Sequence, residues 1–144
     1  MGARSEGREA ALQMLFAVEA SGAPEGRVLV DFWREFPGDV EGRTYAESLV
    51  RGVVAERTDI DGRISRASDN WRLERMTRID RNVLRLGTWE LLHEHDTPKA
   101  VVLDEAVELA KRFGTEESGA FVNGVLARIA EECERERTTG EARS

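Results

Sequence analysis

Cysteine is nearly absent: Cys133 is the single thiol in 144 residues. One cysteine makes no internal disulfide and lacks the neighbouring thiols of a zinc site, which agrees with a reducing compartment. Histidine is almost as scarce. His93 and His95 stand two apart, so a helix turns them to different faces and denies them a shared metal ion. Glu90 and His93 do have the Glu-x-x-His spacing of di-iron bundles, but that chemistry needs the unit twice and no second copy exists. Neither a metal site nor a cofactor is expected.

Proline (3 residues) and aromatics (6%) are few, while hydrophobic residues make up 40% and charged residues 34%. That balance favours helices over turn-rich sheets. Apolar runs are short, Ala100-Val101-Val102-Leu103 being typical, far below the ~20 residues that span a bilayer. Arg4, Glu6, Arg8, Glu9 and Glu19 break up the start of the chain and leave no apolar core for a secretory signal. A cytoplasmic protein without membrane contact is expected. Gly-x-Gly-x-x-Gly, P-loop and nucleophile-elbow motifs are missing, and nothing marks Asp104-Glu105 or Glu116-Glu117 for the burial that acid–base catalysis requires. No enzyme is expected.

What the chain does have is acidity, with one exception. Its net charge is −7, a balance that opposes nucleic acid. Between Arg63 and Arg85, however, seven arginines (63, 66, 72, 75, 78, 81 and 85) face only Asp69, Glu74 and Asp80. Such a segment reads equally as solvated helix faces or as a local surface for a polyanion or an acidic protein.

Apolar spacing near 3.6 residues predicts helix throughout. A first helix spans about Ser5 to Ala20 and stops at Ser21-Gly22-Ala23-Pro24. The second runs from Pro24 to Phe36 and is stopped by Pro37-Gly38. Thr44 and Glu47 form a candidate capping box for the third, whose stripe is Leu49, Val50, Val53 and Val54. Ile60, Ile64 and Ala67 mark a short helix before the irregular Ser68-Asp69-Asn70-Trp71. A longer helix follows Thr77, with Asp80 in capping-box position. The next starts at Thr97-Pro98, carries Val102, Leu103, Ala106, Leu109, Ala110 and Phe113 on one side, and ends at Gly114. The last, capped by Thr115 or Ser118, buries Phe121, Val122, Val125, Leu126, Ile129 and Cys133. Six or seven helices call for an all-α bundle of two packed sub-bundles, about 1–68 and 69–134, in one domain of residues 1–134. Residues 135–144 read as a charged, disordered tail.

Three segments carry a family resemblance. The first is Arg8-Glu9-Ala10-Ala11-Leu12-Gln13-Met14-Leu15-Phe16. The second is Asn70-Trp71-Arg72-Leu73-Glu74-Arg75-Met76 followed by Ile79-Asp80-Arg81-Asn82-Val83-Leu84-Arg85-Leu86-Gly87-Thr88-Trp89-Glu90-Leu91. The third is Asp104-Glu105-Ala106-Val107-Glu108-Leu109-Ala110-Lys111-Arg112-Phe113-Gly114, then Glu117-Ser118 and Phe121-Val122-Asn123-Gly124-Val125-Leu126. In order and spacing they resemble the NusB family of bacterial transcription antitermination factors.

The resemblance implies an all-α fold of two three-helix units. It also implies binding of single-stranded boxA RNA in ribosomal RNA operon transcripts, jointly with NusE, a protein of the small ribosomal subunit. The pair would serve within the larger RNA polymerase antitermination complex, with no reaction catalysed. It places Glu117 and Phe121 at the RNA surface, where an aromatic face stacks a base and a carboxylate accepts from an exocyclic amine. By periodicity alone, Phe121 belongs to the core. Arg4 and Arg8 become an arm for phosphates, and Gln13 and Asn123 become donors and acceptors for bases or helix packing. Asp80 and Arg81 fall where the partner protein docks. The alternative reading is a homodimeric interaction module without RNA activity of its own.

Overall fold

Each apolar stripe becomes one helix face in the computed structural model, which describes residues 2–36 and 38–143, with side chains through 140. Among the described residues there are seven α-helices and no strand: α1 (Ala3–Ser21), α2 (Glu25–Glu35), α3 (Val40–Ala55), α4 (Arg57–Ala67), α5 (Arg78–His93), α6 (Lys99–Phe113) and α7 (Ser118–Arg143). A 3₁₀ turn, Leu73–Arg75, precedes α5. The all-α expectation holds. Pro37, expected to stop the second helix, lies outside the described residues.

The chain divides into two units between Arg57 and Thr58, not near residue 68. In the first unit α1 packs on α3, with α2 against both. Two glycines set the α1–α3 approach. A Cβ on Gly7 would lie 2.9 Å from the Gly42 carbonyl oxygen, and one on Gly42 would lie 3.2 Å from that of Ala3. Ala11, Leu12, Met14 and Leu15 of α1 are buried there with Ala46, Leu49, Val50 and Val53 of α3. The Thr44 capping box is not formed. α3 starts at Val40, with the extended Asp39 before it, because packing of Gly42 on α1 keeps the helix going backward past the box. Thr44 Oγ1 donates to the Val40 carbonyl at 3.0 Å, and Glu47 instead accepts from Trp33 Nε1 at 3.0 Å.

The second unit holds α4 to α7, with α5, α6 and α7 packed on one another. α4 belongs here because its partners are on α7: Arg63 Nη1 meets Glu132 at 2.8 Å and Glu136 at 3.0 Å, and Arg66 meets Glu132 at 3.3 Å. Burial would lower the Arg63 pKa, but bonds to Glu136 and Asp59 outweigh it and hold the guanidinium above its ordinary value. The irregular stretch after α4 is therefore a bend inside this unit. It uses left-handed backbone at Asp69 (φ 56°) and Asn70 (φ 62°), the residue types that tolerate it best after glycine. α5 begins as expected, the Thr77 side chain accepting from the Asp80 N–H at 3.1 Å.

Where fraying was expected beyond Glu134, the backbone continues as helix to Arg143. Lys99 Nζ donates to Glu134 Oε1 at 2.8 Å, and this bond draws the Glu134 carboxyl pKa down. Cys133 is buried on the same helix, and burial pushes its thiol pKa up. Thiolate is the reactive form. The native protein should accordingly react with iodoacetamide far more slowly than the same protein in denaturing urea; equal rates in a labelling time course would contradict this placement.

Candidate RNA and partner surfaces

The corner between α6 and α7 is built from short-range chemistry. Gly114 ends α6 in extended conformation, and its N–H donates to the Ala110 carbonyl at 2.8 Å. A Cβ there would collide with the Ser118 hydroxyl and lie 2.7 Å from the Ala110 oxygen, so only glycine fits. Ser118 Oγ, buried, accepts from the Thr115 N–H at 2.9 Å, while the Ser118 N–H donates to the Thr115 carbonyl at 3.1 Å. Thr115 and Ser118 thus close the turn together.

On this pinned turn Glu117 is exposed, and its carboxylate accepts from Thr115 Oγ1 at 3.4 Å. Phe121 follows one helical turn later, its N–H donating to the Glu117 carbonyl at 3.1 Å. It is half-buried, whereas Val122, Val125, Leu126 and Ile129 form the buried stripe. Phe121 therefore sits at the rim of the core rather than within it. Lys111, Arg112 and Phe113 are exposed at the end of α6, the Arg112 guanidinium lying 5.0 Å from the Phe113 ring centroid. Asn123 is also exposed. Cations, a carboxylate and aromatic rings converge on one corner, a composition suited to a strand with exposed bases.

At the start of α1, Arg4 and Arg8 both stack on Tyr45 of α3, at 4.9 and 5.6 Å from its ring centroid. Arg8 is buried at 3% exposure, while Arg4 is exposed. Of the two, Arg4 is the exposed one and Arg8 is enclosed against the ring. Gln13 is exposed, but nine residues beyond Arg4 a helix has turned it to the opposite side. It lines a groove of about 290 Å³ together with Glu6, Glu9, Trp33 and Phe36.

Arg81 is engaged internally. Its Nη1 donates to the Met76 carbonyl at 2.7 Å and the Leu73 carbonyl at 3.3 Å, tying the 3₁₀ turn to α5. Asp80 is half-buried, and its Oδ1 has no hydrogen-bond partner among the described residues. Arg85 grips Asp61 with two bonds of 2.8 and 3.1 Å. Of the basic segment, Arg63, Arg66, Arg81 and Arg85 thus bind the protein itself, and Arg72, Arg75 and Arg78 remain exposed. His93 packs against the Trp89 ring at 5.0 Å, and no cluster of three metal-ligating side chains occurs among the described residues.

A family model described as the NusB family matches residues 5–131. The chain belongs to the NusB family. The transcription antitermination protein NusB of Sorangium cellulosum (strain So ce56) is 68% identical to it over 131 residues, 91% of this chain and 94% of that protein. The structure of T. maritima NusB superposes with a TM-score of 0.83 at 43% identity, covering 90% of this chain and 91% of the other. A chain in the crystal structure of antitermination factors NusB and NusE in complex with dsRNA gives 0.84 at 28% identity, covering 92% and 98%.

Within this NusB-family chain the second unit sets Glu117 and Phe121 one helical turn apart at the α6–α7 corner, while Asn123, two residues beyond Phe121, is exposed on a different face of α7. It does not bring Gln13 beside Arg4 and Arg8. Two aromatic residues that the sequence pattern gave no functional role take one in the structure. Tyr45, the only tyrosine, carries both arm arginines, and no local spacing reveals that, since it sits on another helix. Trp71 is 51% exposed beside Arg72, and there a local signal exists: an aromatic followed by arginines at 72 and 75 in an irregular segment.

Proposed function

We propose that this chain is an RNA-binding subunit of a transcription antitermination complex. It works with NusE on single-stranded boxA RNA of ribosomal RNA operon transcripts, alongside RNA polymerase in the cytoplasm, and catalyses no reaction. The observation that carries this reading is the half-buried Phe121 one turn above the exposed Glu117 on a turn held rigid by Gly114 and Ser118. A rigid aromatic rim costs little entropy when it stacks a base. Arg4 supplies a phosphate contact and the buried Arg8 packs on the same Tyr45 ring, with Gln13 a hydrogen-bonding residue on the far side of α1. Asp80, half-buried at the start of α5, belongs to the docking surface for NusE. Arg81 shapes that docking surface by fixing the 3₁₀ turn. Among the described residues no helix is long and apolar enough to cross a membrane, which fits this setting.

Titration with boxA-like and scrambled single-stranded RNA, with and without NusE, tests the proposal. Tighter binding of the boxA-like strand, strengthened by NusE, is expected. The logarithm of affinity should fall with that of salt by about 0.7 per phosphate contact. Equal affinities for both RNAs and no effect of NusE would overturn the reading. Exposed Phe36 (55%) and Val40 (76%) favour the second reading, a homodimer through the first unit. Sedimentation that shows a dimer unaffected by NusE and blind to RNA would select it.

A further inference from the structure

Trp71 stands half out of the protein at 51% exposure, immediately after two left-handed residues, Asp69 and Asn70. Exposing a tryptophan sacrifices more buried apolar area than exposing almost any other side chain. Its neighbours Arg72 and Arg75 are exposed as well. The bend that presents these residues is clamped from α7: Arg128 Nη1 donates to the Ala67 carbonyl at 2.9 Å and reaches Asp69 Oδ2 at 3.3 Å. That clamp also pairs Asp69, so that Arg72 and Arg75 outnumber the one other exposed carboxylate of the turn, Glu74. Arg128 lies seven residues after Phe121, a spacing that returns it to nearly the same side of the helix, about 10 Å further along. One side of α7 thus leads from Phe121 to the residue that holds the Trp71 bend.

We propose that Trp71 is a second stacking platform for single-stranded RNA, at the far end of a path that begins at Phe121, with Arg72 and Arg75 holding the phosphates beside it. The inference rests on the reading that Phe121 meets RNA. Alternating aromatic faces and guanidinium groups are what a flexible strand requires, since every base offers a π-face and every linkage a charge. Neighbouring platforms about 10 Å or more apart are bridged by an extended strand of a few nucleotides, so short RNAs reach one platform and longer ones reach both.

The test follows tryptophan emission while a single-stranded boxA-like RNA is titrated into wild type, Trp71→Phe, Trp71→Ala and Phe121→Ala, each checked for unchanged helical content and melting. RNA should quench wild-type emission, and Trp71→Phe should lose that quenching yet keep its affinity, because an aromatic face remains. Trp71→Ala should bind about tenfold more weakly. Full affinity in Trp71→Ala alongside a loss in Phe121→Ala overturns the Trp71 platform and leaves the RNA reading standing. Absence of RNA binding by wild type overturns both. An emission change produced by NusE and not by RNA makes Trp71 a protein contact and also overturns the platform.

Discussion

Replacing Phe121 with alanine should weaken binding of boxA-like RNA by about 10- to 100-fold, the loss of one stacked base. The ring is half-buried, so part of any effect is packing. Phe121→Leu separates the two: it keeps the apolar contact with the α7 stripe and removes the aromatic face, so melting should stay near wild type while RNA affinity falls almost as far. Glu117 provides the complementary check. A carboxylate that only repels phosphate gives a Glu117→Gln variant that binds every RNA more tightly. One that accepts from an exocyclic amine gives a variant that loses affinity for the boxA-like strand and gains slightly for a scrambled one. Fluorescence anisotropy with both RNAs reads the sign. Unchanged affinity in Phe121→Leu and a uniform gain in Glu117→Gln would remove the corner from the RNA surface.

Features fixed within one turn of chain were the legible ones. Thr77 caps Asp80, Gly114 ends α6, and Thr115 with Ser118 closes the next turn, all within three or four residues. The Thr44–Glu47 box had the same local pattern and failed, because Gly42 packing on α1 decides where α3 begins. The seam was misplaced for a related reason. What fastens α4 to α7 is Arg63 and Arg66 on Glu132, partners more than sixty residues away in the chain, and no window along the sequence contains both ends. The same ion pairs explain the arginine-rich segment, whose excess charge is mostly neutralised inside the second unit. The candidate site divides similarly. Glu117 and Phe121 share a helix turn and were readable together. Gln13, by contrast, is separated from Arg4 by half a helix rotation, which counting at about 100° per residue would have shown.

The second large effect belongs to the contact between α5 and α7. Leu126 is fully buried, and a Cβ placed on Gly87 would lie 2.7 and 3.0 Å from its two methyl carbons. Leu126→Ala should cost about 3 to 4 kcal/mol, since it removes buried apolar surface and leaves a cavity. Gly87→Ala alone brings two opposed terms. Alanine favours mid-helix backbone by about 1 kcal/mol, whereas a methyl forced against a close-packed leucine costs about 1 to 3 kcal/mol. The net is neutral to destabilising. In the double variant the leucine methyls are gone, so the new Cβ enters the space they vacated. The propensity gain is then realised, and part of the cavity is filled. Gly87→Ala should therefore raise the stability of the Leu126→Ala protein by about 1 kcal/mol while failing to raise that of wild type, a favourable coupling between contacting residues. Urea midpoints at constant slope measure all four corners of the cycle. A double variant less stable than Leu126→Ala alone would mean that the glycine is required by something other than the Leu126 side chain.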